Sequence, residues 1–455
     1  MKVLENIVNW LLSLGAAIFV PIIIIIAGII VGMKVKDAIS SGITLGVAFT
    51  GMSLLIEFMS STIGPAAEAM LEATGISLPY LDGGWTTMSS ISWSWPYAFL
   101  MFPLVIVINI IMLVINKTNT FNADLWNVWG KIFTAVAVVA ITKKVWLAFL
   151  VASVQIVLEL KSADAHQHRI EKLSGIPGVT CTHRMTLFGA VLYPFDWLLR
   201  KIPFFNKEIN AESLKDKLGI FAENHIIGFI LGLLFGLLAR FSVADSLKLA
   251  IKASASLTLF PVITKYFMQA LAPISEGVSE FMNKKFKGRT LIVGLDWPFM
   301  GGSNEIWLAV IYTIPITMIY AMFLPGNEIL PFAGIINLSL AVPCYLVTKG
   351  NLPRILALCT ISVPAFLWAG TAFGPFMTEL ANSTGAVELA AGQIISNSGM
   401  DAPVFTYAIS HVFKILTGDP LPLVILILWG VGFFLYYRDL MRETKEERQQ
   451  QTKEE

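Results

Sequence analysis

The sequence predicts an all-α polytopic membrane protein with about ten or eleven transmembrane helices plus re-entrant segments, built as an inverted repeat. Three observations carry this. The 455-residue chain is 56% hydrophobic and only 14% charged, against about 25% charged residues in an ordinary soluble domain. It contains charge-free apolar runs over 19–33, 98–115 and 420–437, close to the roughly 20 residues a membrane span needs. Its second half also repeats landmarks of its first at a constant offset.

Expected spans are 5–33 (a short amphipathic start, then a helix), 39–60, 96–116, 129–160 with a break near Lys143-Lys144, 176–199, 224–241, 245–272, 304–324, 330–348, 355–372 and 420–438. Polar interruptions fall at 161–175, 200–223, 282–290 and 373–419. The first of these, holding His166 and His168, reads as a solvated cytoplasmic loop. The tail 439–455 is charged, Gln-rich and without apolar periodicity, so it reads as a solvated frayed helix or a disordered segment. No cleavable leader is expected, because Met1–Leu14 is poor in basic residues and lacks a small-residue cleavage site.

Net charge is +1, which points to no nucleic-acid or acidic partner. Cys181, Cys344 and Cys359 lack metal-ligand or disulfide spacing and read as small apolar residues. Among local motifs there is no P-loop, HExxH, GxSxG or dinucleotide fingerprint. An autonomous enzyme is therefore not expected, nor is a cofactor.

The repeat is visible in paired landmarks. Val35-Lys36-Asp37-Ala38 resembles Val243-Ala244-Asp245-Ser246, and Pro65-Ala66-Ala67-Glu68 resembles Pro273-Ile274-Ser275-Glu276. The differences 245−37, 273−65 and 276−68 all equal 208. Two polar breaks follow, Leu81-Asp82-Gly83-Gly84-Trp85 and Gly294-Leu295-Asp296-Trp297-Pro298, at 296−82 = 214. Asn119-Thr120 and Asn327-Glu328 return to 208. Repeat one runs over about 35–160 and repeat two over about 243–372. Lys34 and Lys36 precede the Pro-x-x-Glu helix of the first copy, whereas Lys284, Lys285, Lys287 and Arg289 follow that of the second. By the positive-inside bias the copies point oppositely across the membrane. Inverted repeats of broken helices place a substrate site between them near the midplane, a carrier architecture.

Asp296 and Asp82 are the leading candidates for that site. A membrane-embedded aspartate costs at least about 2.5 kcal/mol, so it is rare without a function or a partner. A carboxylate accepts from vicinal hydroxyls, and the neighbouring indoles of Trp85 and Trp297 offer flat apolar faces to a carbon skeleton. The alternative is that each aspartate caps a half-helix. In Asn122-Ala123-Asp124-Leu125-Trp126-Asn127-Val128-Trp129, Asp124 is a candidate cap. Asn127 and Trp129 are candidates to face a polar cavity, or else belong to an interfacial aromatic belt. His183 follows a Gly- and Pro-rich turn, and its neutral imidazole can donate to one hydroxyl and accept from another; the alternative is a membrane-surface histidine. Glu68 and Glu276 match across the repeat, and Asn304 adds a polar group at a span end.

Gly294-Leu295-Asp296-Trp297-Pro298, Leu324-Pro325-Gly326-Asn327-Glu328-Ile329-Leu330-Pro331-Phe332 and Lys349-Gly350-Asn351-Leu352-Pro353-Arg354 resemble the galactitol-type enzyme IIC of the bacterial phosphoenolpyruvate-dependent phosphotransferase system, within the ascorbate/galactitol superfamily. So do Gly64-Pro65-Ala66-Ala67, Asp82-Gly83-Gly84-Trp85 and the Asn122–Trp129 motif. The resemblance spans about 5–438, which it marks as the IIC membrane domain. It implies a homodimer with a scaffold (V-motif) domain and a substrate-carrying core domain that moves like an elevator in the bacterial inner membrane. It also implies a sugar alcohol substrate, by default galactitol, phosphorylated by a phosphocysteine on a separate IIB protein that is itself charged by IIA. The family's pocket aspartate falls on Asp296. Its pocket histidine falls on His183, although the usual Ile-Pro-His-Gly arrangement is altered here to Thr182-His183-Arg184. The histidine usual after the Asn-x-Trp element is replaced by Gly130-Lys131. The rival expectations are an ion-coupled secondary transporter of a polyol, or a signalling membrane protein without transport.

Overall fold

Two three-stranded parallel sheets, each only a few residues deep, sit inside a helical protein. The computed structural model describes residues 10, 16–30, 32–72, 78–124, 126–207, 209, 223–285, 291–331, 333–384, 389 and 392–454. The first half comprises α1 (Ala16–Ile30), α2 (Val35–Glu72), β1 (Tyr80–Asp82), α3 (Gly84–Trp93), α4 (Ala98–Val114), β2 (Thr120–Asn122), α5 (Trp129–Thr142), α6 (Val145–Ser174), β3 (Val179–Cys181) and α7 (Gly189–Leu199). The second comprises α8 (Asn224–Leu238), α9 (Val243–Lys285), β4 (Ile292–Leu295), α10 (Asn304–Phe323), β5 (Ile329–Leu330), α11 (Leu338–Thr348), α12 (Leu352–Thr384), β6 (Ile394–Ser396), α13 (Pro403–His411) and α14 (Leu421–Glu454).

The polytopic membrane class is confirmed. Among the described residues, four helices are long and apolar enough to cross a membrane: Val145–Ser174, Asn304–Phe323, Leu352–Ser383 and Leu421–Glu446. A fifth span arises if Thr87–Trp93 and Ala98–Val114, bent by 93°, count as one. The break expected at Lys143-Lys144 is real: Lys143 takes a left-handed conformation with φ 57° and ends α5. Two of the expected spans, 176–199 and 330–348, are instead a strand, a loop or 3₁₀ turn, and an 11-residue helix. Eleven residues extend about 16 Å, half a bilayer core, so α7 and α11 cannot cross alone.

Two expectations about polar segments are corrected. Residues 161–174 are not a loop: α6 continues to a left-handed Gly175, and His166 is buried with its Nε2 3.0 Å from the Tyr436 hydroxyl. The tail 439–455 takes the helical alternative through Glu454, but its start is docked rather than solvated. Glu443 pairs with the buried Arg169 of α6, and with Lys349 at 3.1 Å. Amphipathic charge on one stretch finds its partner on another, which local composition does not reveal.

Helices α1, α2, α8 and α9 pack on one another. The starts of α2 and α9 differ by 243−35 = 208, the repeat offset. Their partner helices approach closely through small residues. A Cβ on Gly228, Gly232 or Gly236 would lie 2.7–2.8 Å from the backbone of Ser254, Ala250 or Ser246 on α9, a small-xxx-small contact of the kind that holds membrane helices together.

Each Asp-Trp break is the central strand of one sheet. The strand orders are β5-β1-β6 and β2-β4-β3, all parallel. The break of the first half is therefore flanked by strands of the second, and the break of the second by strands of the first. Pairing satisfies backbone groups that lipid cannot. Ala123 N donates to Gly294 O at 2.8 Å and Thr182 N to Leu295 O at 3.0 Å, which extends the second sheet past its strand ends. Glu68 and Glu276 have side chains outside the described ones, as have residues 286–290 altogether.

Candidate functional site

Parallel strands end on the same side. At the end of β2-β4-β3 the chain therefore brings together Asp124, Asp296 and His183, each one or two residues past its strand. Ligands favour the carboxyl ends of parallel strands for the same reason: loops from several strands converge there.

Asn127 joins two of these residues. Its Nδ2 donates to Asp124 Oδ1 at 2.9 Å and Oδ2 at 3.1 Å, and its side chain also hydrogen-bonds Asp296. The Trp129 Nε1 donates to Asn127 Oδ1 at 3.2 Å, which sets the amide orientation. Asp296 accepts the Trp297 N–H at 2.7 Å and so caps a 3₁₀ turn, Trp297–Met300. Capping and a place in the polar cluster, which read as alternatives in the sequence, coexist at Asp296. The residue is also within electrostatic reach of Asp124 and His183. Asp296 and Trp297 are only partly buried, whereas Asp124, Asn127, Trp129 and His183 are buried.

The wall behind His183 comes from Arg184 and Asp401. Arg184 donates to Gly130 O at 3.0 Å and to Asp401 Oδ2 at 3.3 Å, and its guanidinium lies 5.4 Å from the Trp129 ring centroid. A Cβ on Gly130 would sit 3.2 Å from Arg184 Cζ, so the glycine leaves room for the arginine. Trp129 is thus covered by Arg184 on one face and bonded at its nitrogen. Its geometry is that of a support for Asn127 rather than of an open platform. Asn122 Oδ1 accepts from Thr182 Oγ1 at 2.9 Å and from Asp124 N at 3.0 Å, tying the β2 and β3 ends together.

Asp82 occupies the matching place at the end of the other sheet, and its surroundings differ. It accepts from Gly84 N at 3.1 Å, Gly334 N at 2.9 Å, Ser398 N at 3.2 Å and Ser398 Oγ at 2.5 Å. A carboxylate has about four acceptor positions, and these donors use four. Asp82 therefore ties the β1, β5 and β6 exits together; of its donors only Gly84 N lies at the start of α3, where a helix cap would bond. Trp85 is half-exposed at the start of α3, and Asn304 opens α10, partly buried. Neither shares a described hydrogen bond with Asp296. The residues that sequence reasoning missed are Arg184 as a wall, Asn122, Thr182, Ser339 and Asp401. Asp401 carried no signal beyond its place in a polar interruption.

Gly294 shows how tightly the strand ends pack. A Cβ there would lie 2.3 Å from Thr182 Cγ2 and 2.8 Å from Thr120 Cγ2. Gly294→Ala must push both flanking strands apart, and overpacking of this kind costs about 1–3 kcal/mol. Thermal unfolding in detergent should show that loss, and an unchanged melting temperature would mean that the strands are looser than described.

A buried polar cluster at the strand ends of a multi-helix membrane protein is the arrangement a polytopic permease for a small polar solute requires. The chain belongs to the family of sugar-specific permease components of the phosphotransferase system, EIIC-GAT, whose sequence profile matches residues 10–392. It is similar to the galactitol-specific EIIC component of that system from Escherichia coli strain K12 and to that of strain O157:H7. Each is 29% identical over 447 residues, 98% of this chain and 98% of the relative. A further relative from strain K12, a permease IIC component whose name specifies no sugar, is 30% identical over 408 residues, 89% of this chain and 91% of its own. The protein is accordingly a multi-pass inner-membrane sugar permease subunit of a phosphotransferase system, a kind that works with IIA and IIB partners.

Proposed function

We propose that this permease binds a hexitol, with galactitol the first choice, and presents it to a phosphorylated IIB protein. The observation that carries the reading is the convergence of Asp124, Asn127, Asp296 and His183 at one sheet end. Carboxylates, an amide and an imidazole are the groups that hold vicinal hydroxyls, and the partly open Trp297 beside them suits a carbon skeleton. The galactitol-specific relatives align along 98% of their length, which supports the choice of sugar.

In this reading the sugar-carrying core contains both sheets, and α1, α2, α8 and α9 form the scaffold through which two copies associate. No side chain of the permease carries the phosphoryl group. Its contribution is to hold the acceptor hydroxyl in place and keep water away, a proximity effect. The phosphoryl donor is a cysteine of IIB.

Proteoliposomes test this. Labelled galactitol should appear inside only when phosphorylated IIB is present on the cytoplasmic face, and it should appear as the phosphate ester. Accumulation of unmodified galactitol driven by a proton or sodium gradient would overturn the reading in favour of an ion-coupled carrier. A pentitol or another hexitol that outcompetes galactitol would replace it as the substrate.

A further inference from the structure

The wall of the strand-end cluster holds a carboxylate with unused capacity. Asp401 is 7% exposed. Its Oδ1 accepts the Ser339 hydroxyl and its Oδ2 accepts Arg184 Nη2. Of about four acceptor positions on a carboxylate, these donors use two among the described residues, in contrast to the four filled at Asp82. Arg184 is itself held by Gly130 O and Trp129. The next residue, Ala402, has φ 44° and ψ 60°, a left-handed conformation that a non-glycine residue keeps only where its surroundings impose it.

His183 faces Asp401. Its Nδ1 accepts the Met185 N–H at 3.3 Å, which leaves the ring proton on Nε2. Nε2 lies 3.8 Å from Asp401 Oδ2. That is too long for a direct hydrogen bond, and a single hydroxyl oxygen bridges such a gap with a small side-chain adjustment. It would accept from the imidazole and donate to the carboxylate. His183 also lies within electrostatic reach of Asp296.

We propose that Asp401 and His183 together bind one hydroxyl of the sugar, distinct from those held by Asp296 and Asn127, and that Arg184 is the positioning residue for Asp401. This rests on the strand-end cluster being the sugar site. Specificity among polyols would then be read at two places, with Asp401 contributed by a segment far along the chain from His183.

The test is equilibrium binding of galactitol and its monodeoxy analogues to the purified full-length protein. In the native protein each analogue lacking a bound hydroxyl should bind about tenfold or more weakly. Asp401→Asn should weaken galactitol by about tenfold, and one analogue should then bind it as well as galactitol does. His183→Ala should abolish the penalty for that same analogue, which keeps the test alive if Asp401→Asn does not fold. Arg184→Lys, which keeps the charge but loses the fork, should reduce the penalty without abolishing it. If every analogue keeps its native penalty in Asp401→Asn and His183→Ala, Asp401 contacts no hydroxyl and the proposal is wrong. If Asp296→Asn weakens binding while Asp401→Asn does not, only this proposal falls. If neither does, the sugar-site reading falls with it.

Discussion

Asp296→Asn should remove sugar binding while leaving the protein folded. The substituted amide still offers an oxygen to the Trp297 N–H, now bonded at 2.7 Å, so the 3₁₀ turn keeps its cap. What disappears is the negative charge. Hydrogen bonds to a charged partner contribute about 1.5–3 kcal/mol each, and an aspartate holding two hydroxyls would lose most of both. The expected fall in affinity is about 100-fold or more, with a melting temperature within a few degrees of the native value. The control is Asp82, the equivalent position of the other sheet. Asp82→Asn turns one acceptor oxygen into a donor that faces Gly334 N, Ser398 N, Gly84 N or the Ser398 hydroxyl. Buried groups left unsatisfied cost about 1–3 kcal/mol each. Asp82→Asn should therefore lower stability by that order while its folded fraction binds sugar normally. Calorimetric binding and thermal unfolding on both variants decide the matter. If Asp82→Asn lost affinity without losing stability, the two aspartates would have been assigned the wrong roles.

Lys131→Met should be the most destabilising single substitution in the α5–α6 contact. Lys131 Nζ lies 2.6 Å from Glu159 Oε2, with side-chain exposures of 2% and 3%. Gln155 donates to the other carboxylate oxygen at 2.8 Å. Two opposite charges removed from solvent cancel each other, but a single one does not. Breaking such a pair from one side costs about 3–5 kcal/mol, whereas replacing both partners by apolar groups of similar volume is often neutral or stabilising. Lys131→Met with Glu159→Met should therefore recover most of the loss seen in either single variant. A double variant as unstable as the singles would show that the charges act with other partners instead. Because α5 follows directly on Asn127, which Lys131 Nζ approaches at its carbonyl at 3.5 Å, the single variant should also weaken sugar binding.

Both effects turn on which buried charge meets which partner, and this divides what was legible in the sequence from what was not. Long charge-free runs announce the membrane, because lipid excludes charge over a length set by bilayer thickness. The Asp-Trp breaks were legible as interruptions, and the offset of 208 matched the starts of α2 and α9 as corresponding positions, whereas their packing on one another was not legible. His183 and Asp296 were found through motifs, and the structure brings them together. The sheets were not legible: strands of two to four residues are too short to show a two-residue period. Nor was their exchange between halves, because pairing β1 with β5 and β6 joins residues about 250 to 310 positions apart.

The sequence alone thus determined a polytopic membrane chain with repeated landmarks and the residue types of the proposed hydroxyl-binding site. Only the tertiary structure decided that Asp82 accepts four hydrogen bonds across the β1, β5 and β6 exits, that the partly buried Asp296 lies beside a buried polar cluster, that Asp401 stands behind His183, and that His166 is buried against Tyr436. Composition and spacing record the cost of leaving water, which each residue bears locally. Hydrogen-bond satisfaction depends on donors brought in from distant segments, so it is settled only when the chain has folded.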